Sequence, residues 1–140
     1  MIKRFRKVQM INTLGNGITH LGSTRSVDEV LERLLSLLSA KAITVFAVVD
    51  HSGEAAKVGI EMPPTKLVVF GNPASGTPLM IASPDSALDL PLKILLAETL
   101  DGTTRISYNS VTYLEARFSL ASDLTSNVSA IEKIAGAIAN

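Results

Sequence analysis

Ser26-Val27-Asp28-Glu29 has the spacing of a helix capping box. After it, Val27, Val30, Leu31, Leu34, Leu35 and Leu38 recur at helical spacing, and Ile43 to Val49 then forms a nearly continuous β-branched and aromatic run. A helix that starts at a serine cap and buries one stripe predicts an element from Val27 to about Ala40. The following run predicts a strand covered on both sides or lying at the centre of a sheet. Joined within a few residues, the two restrict the chain to helices layered on a sheet.

The rest of the chain is punctuated in the same way. Gly17 to Ser23 reads as a first strand. Asp50 caps a short helix that reaches about Val58 and stops at Gly59, and Met62-Pro63-Pro64 forces an extended connection. Lys66 to Phe70 is the next strand. Asn72-Pro73 opens a helix over Pro73 to Ser83, with its first turn loosened near Gly76. Pro91 to Glu98 and Thr104 to Asn109 flank Asp101-Gly102 as a hairpin, and Tyr113 to Phe118 is a short helix. Asp123 opens a last helix whose stripe is Leu124, Val128, Ile131, Ile134, Ala135 and Ile138. The class is α+β, with a largely antiparallel sheet covered by helices on one face. One domain over residues 17–140 follows a basic arm at 1–16. The strands at Ile43 to Val49, Lys66 to Phe70 and Leu92 to Ala97 offer more apolar surface than one helical layer covers, so a homodimer is expected.

Composition narrows the function. Of 140 residues 46% are apolar, and thirteen basic groups balance thirteen acidic ones, so no whole-molecule field draws nucleic acid or an anionic membrane. Lys3, Arg4, Arg6, Lys7 and Arg25 concentrate positive charge at the start, where a solvated terminus is the simpler reading than an RNA or acidic-partner site. The absence of cysteine removes disulfides, thiolate nucleophiles and iron–sulfur clusters. Gln9, Asn12, Asn16 and nearby glycines interrupt any apolar stretch behind the basic residues. Neither a signal peptide nor a membrane span is therefore expected, and the expected location is the cytoplasm.

Three constellations carry possible chemistry. Gly71 to Pro78 has glycines at P-loop spacing, but Thr77-Pro78 stands where that loop requires lysine and a hydroxyl residue, which removes nucleotide hydrolysis. Backbone amides at a helix start still suit a carboxylate or phosphate, with Asn72, Gly76 and Thr77 as ligand-binding candidates beside the plain reading of a strand-to-helix turn. His51 lies between Asp50 and Glu61, a pattern that serves a general acid or base as well as it serves an exposed residue next to a cap. A metal site usually needs three or four protein ligands, and the only other histidine, His20, is on a different strand, where a lone histidine reads as structural. Tyr108 is able to donate to a ligand or to bury its ring. No Gly-x-Ser-x-Gly elbow exists.

Ile43-Thr44-Val45-Phe46-Ala47, Asp50-His51, Phe70-Gly71-Asn72-Pro73, Gly76-Thr77-Pro78-Leu79-Met80, Leu88-Asp89-Leu90-Pro91-Leu92-Lys93 and Ser107-Tyr108-Asn109 together resemble the bacterial and archaeal family catalogued as domain of unknown function 302. The resemblance covers about residues 25 to 120. It implies a TATA-binding-protein-like fold with a curved sheet, commonly dimeric, and no established activity. Ala74 stands where the family often has lysine, and Phe118 where it often has histidine. The resulting expectation is a cytoplasmic homodimer that binds a small anionic ligand at Asn72, Gly76, Thr77 and Tyr108, with no cofactor specified. The alternatives are an enzyme using His51 with Asp50 or Glu61, and a purely structural or regulatory dimer.

Overall fold

The computed structural model describes residues 12, 13 and 15–140, so Lys3, Arg4, Arg6 and Lys7 of the basic arm lie outside the described residues. Among the described residues, six strands form one open antiparallel sheet: β1 (Asn12–Thr13), β2 (Ile18–Ser23), β3 (Thr44–Asp50), β4 (Thr65–Gly71), β5 (Leu92–Glu98) and β6 (Thr104–Asn109), in the order β1-β2-β6-β5-β4-β3. Helix α1 (Val27–Ala40) carries the chain from β2 to the opposite edge. Its capping box is complete: Glu29 N–H donates to Ser26 Oγ at 3.1 Å, and Ser26 N–H donates to Glu29 Oε1 at 3.0 Å. The predicted stripe is the buried one, with Val30, Leu34 and Leu38 fully inaccessible.

Helices α1 and α6 (Ala130–Ala139) pack on one face of the sheet, over Leu21, Val68, Phe70, Ile94, Leu96 and Ile106. A second apolar cluster joins α3 (Pro73–Ala82), α4 (Val111–Phe118) and the residues before α6 through Leu79, Leu90, Leu114, Phe118 and Val128. Leu92 packs against both clusters. The α+β class, the antiparallel sheet and the helical layer are as the sequence led us to expect.

Several local expectations also hold. Asp50 caps α2 (His51–Lys57), accepting from Gly53 N–H at 2.9 Å. The hairpin turns at Gly102, whose φ of +84° is open to glycine, and Thr99 N–H closes it on Thr103 O at 2.8 Å.

Three expectations are corrected. The Ile43 to Val49 run is neither central nor covered on both sides, because β3 is the sheet edge and leaves Val45, Phe46 and Val48 exposed. The first turn of α3 is not loosened at Gly76, whose N–H donates to Asn72 O at 3.0 Å. The last helix is broken into α5 (Ser122–Thr125), a 3₁₀ turn (Ser126–Val128) and α6, and Asp123 lies inside α5 rather than capping one long helix. At the break, Ser126 Oγ donates to Asp123 O at 2.8 Å and Ser129 Oγ to Ser126 O at 2.9 Å. These hydroxyls compete for the carbonyls that a continuous helix would use.

Candidate functional site

A cavity of about 370 Å³ opens where the two apolar clusters meet, beneath the strand-to-helix segment at Gly71 and beside Pro91. Its walls include Ile43, Phe46, Phe70, Met80, Leu92 and Ile134, with Lys41, Asn72, Ser75, Thr77 and Asn127 as polar members. Lys41 is the one ionisable side chain among the described residues that line it. The cavity has this position because α1 ends at Lys41, β4 ends at Gly71 and β5 begins at Leu92, all at the same end of the sheet.

Phe46 reaches the cavity through a bulge. Val45 pairs with Phe70 and Ala47 with Val69, which leaves Phe46 as an extra residue without a cross-strand partner. Bulges of this kind re-aim a side chain and interrupt a free edge. The Phe46 ring lies against Gly71, where a Cβ would come within 3.7 Å of it, yet the residue is 52% exposed.

The helix start is less open to an anion than its sequence suggests. Asn72 Oδ1 accepts from Ala74 N–H at 2.9 Å. Asn72 O accepts from Ser75 N–H at 2.9 Å and from Gly76 N–H at 3.0 Å. Pro73 has no N–H to give. The backbone donors of this turn are thus already used, which leaves the exposed Lys41 and the hydroxyl and amide side chains as the polar groups at the cavity.

Asp50, His51 and Glu61 lie elsewhere. Strand β3 runs from Thr44, paired with Gly71 at the cavity end, to Asp50, paired with Lys66 at the other. Seven strand residues place the two ends roughly 20 Å apart. The Asp50 carboxylate accepts from Gly53 N–H and from Ser52 Oγ, and these bonds hold its pKa below the usual carboxylate value. His51 and Glu61 are exposed, and among the described residues no hydrogen bond or ion pair joins them. No group of three or more histidine or carboxylate side chains suited to a metal occurs among the described residues.

The family model described as domain of unknown function DUF302 matches residues 19–140. The chain belongs to the DUF302 family. A crystal structure of an uncharacterized conserved DUF302 protein from Bacillus stearothermophilus superposes with a TM-score of 0.72 at 19% identity, covering 88% of this chain and 95% of that one. Over 127 residues, 91% of this chain, the sequence is 34% identical to the fluoride-specific ion channel FluC 1 of Brucella suis and to FluC 1 of Brucella abortus. It spans only 49% and 46% of those two proteins, about half their length. No helix among the described residues of this DUF302 domain is long and apolar enough to cross a membrane.

Tyr108 and His20 of the DUF302 domain lie outside the residues that line this cavity. Tyr108 is buried under the helical layer, with its hydroxyl bonded to Thr19 and its pKa raised by burial and by the Glu132 charge, and it is not among the cavity residues. His20 lies on the opposite face of the sheet with Nδ1 2.7 Å from Ser107 Oγ. Burial and the Arg105 charge hold its pKa down. The sequence reading missed Lys41 and Phe46. A lysine just after a helix carries no local signal, and the bulge exists only through the pairing of β3 with β4.

Proposed function

We propose that this DUF302 domain is a cytoplasmic homodimeric module that binds a small organic anion in the cavity beneath Gly71 to Pro78. The observation that carries this reading is the charge of the lining: a pocket of about 370 Å³, within the size range of ligand sites, has one cation and no acid among the described residues that line it. A net positive, mostly apolar lining favours an anion over a cationic guest, because the charge the ligand meets is of one sign. Dimerisation is supported by the two surfaces that one chain leaves open. These are the exposed edge β3 and the sheet face opposite the helices, where Leu67, Val69 and Leu95 are only partly covered.

Fluoride conduction, named for the whole Brucella proteins, we place in the half of those chains that this domain does not match. Conduction requires a path across a membrane, and none of the described helices is suited to form one. In such proteins the DUF302 half would act as the ligand-binding partner of a channel.

A thermal-shift screen of carboxylates and phosphates tests the site. A ligand at a hundredfold excess over its Kd stabilises the native state by about 2.7 kcal/mol. The expected result is a shift with an organic anion in wild type and in His51→Ala, and a reduced shift in Lys41→Gln. Loss of the response in His51→Ala with an unchanged Lys41→Gln would move the site to the other end of the sheet and favour the enzyme reading.

A further inference from the structure

We infer that Phe46 and Lys41 together select an amphipathic monoanion: one carboxylate held at Lys41 and an apolar body laid between the Phe46 ring and the cavity floor. The inference rests on the anion-binding reading above and narrows its ligand class. Two observations carry it. First, a single lysine among otherwise uncharged described lining residues neutralises one negative charge. A second charge on the ligand would meet no partner among the described lining residues and would lie against apolar walls. Inorganic phosphate and dicarboxylates are therefore disfavoured, and the hydrophobic walls have nothing to gain from them.

Second, Phe46 is an aromatic side chain placed on a bulge at the free edge of the sheet, half-exposed, with its ring at the cavity. Leaving it in water forgoes the burial that a large ring normally contributes. A ligand with an apolar body recovers that burial, whereas a purely polar anion does not. The cavity volume of about 370 Å³ corresponds to about a dozen waters at their liquid volume, which sets the ligand at about a dozen non-hydrogen atoms. Octanoate and 4-phenylbutanoate share this chemistry, one with a flexible body and one with an aromatic body.

The chain has no tryptophan, so Phe46→Trp reports on the cavity mouth without background. Titration with octanoate and 4-phenylbutanoate should give a saturable emission shift. Octanol, the uncharged analogue, should bind about tenfold more weakly, and octylammonium, succinate and inorganic phosphate should give no saturable shift. In Phe46→Trp combined with Lys41→Gln, octanoate and octanol should become equivalent. Calorimetry on the wild-type chain with the same compounds should return the same ranking, which guards against an effect of the reporter itself. Saturable binding of phosphate or succinate at least as tight as octanoate would overturn the amphipathic selection while leaving the small-anion reading intact. Equal affinity for octanol and octanoate in the Lys41 protein, or no saturable binding of octanoate, succinate or phosphate by either method, would overturn both.

Discussion

Gly17 and Gly76 illustrate at residue scale how differently one amino acid is used. Gly17 has φ of +85°, and a Cβ there would come within 2.4 Å of the Tyr113 ring, while its carbonyl accepts from Ser110 N–H at 2.8 Å. Gly76 sits inside α3, and a Cβ there meets no heavy atom within 4 Å. Gly17→Ala should therefore destabilise by at least about 1–2 kcal/mol, whereas Gly76→Ala should stabilise by up to about 1 kcal/mol. Urea denaturation of the two variants checks both signs. Equal effects would contradict the local geometry.

Protonation behaves predictably at the same scale. The His20 pKa lies below its usual 6.5, because burial and then Arg105 disfavour the imidazolium. Its contribution is thus complete above pH 6.5 and declines as pH falls toward its folded-state value. The Asp50 pKa also lies below its usual value of 3.8, chiefly through the Gly53 N–H and then the Ser52 hydroxyl. Its stabilisation is present above that usual value and is lost as pH falls through the lower folded-state pKa. The urea midpoint should therefore drop in two stages on acidification. His20→Asn should remove the upper stage only. A midpoint that rises between neutral pH and pH 5 would contradict the assignment.

At the scale of elements, features fixed by residues within about four positions of one another were legible in the sequence. The Ser26 box, the Asp50 cap and the Asp101-Gly102 hairpin all depend on such neighbours and formed where expected. Ser26→Ala should cost about 1 kcal/mol, measured by urea unfolding, and no loss would mean that tertiary packing alone holds the start of α1. Features fixed by distant pairing were not legible. An apolar run at Ile43 to Val49 looks the same whether it lies at the edge or the centre, and the Phe46 bulge appears only when the β3–β4 register is known. The stripe before Ile138 suggested one helix because periodicity ignores the serine hydroxyls that interrupt it. The site was legible in part. The Gly71 to Pro78 segment does border the cavity, but sequence could not show that Asn72 already occupies the first-turn donors. Nor could it show that Asp50, His51 and Glu61 lie at the opposite end of the sheet.

For the whole molecule, the open sheet face and the cavity make separate predictions. Across that face, Val49, Leu67, Leu95, Ser107 and His20 form a continuous cross-strand row. A second copy covering the row would bury Leu95 near its centre. Sedimentation should then give twice the 14.8 kDa chain mass for wild type and the single-chain mass for Leu95→Glu, with the folded circular dichroism spectrum retained. Wild type remaining at 14.8 kDa at high micromolar concentration would overturn the dimer.

Which end of the sheet binds ligand is decided by amide chemical-shift mapping of the wild-type chain during an octanoate titration. Saturable shifts are expected at Lys41, Phe46, the residues of 71–77 other than Pro73, Asn127 and wall residues such as Ile43 and Leu92, with Asp50, His51 and Glu61 unmoved. Shifts at Asp50, His51 and Glu61 with none around Lys41 and Gly71 would contradict that expectation.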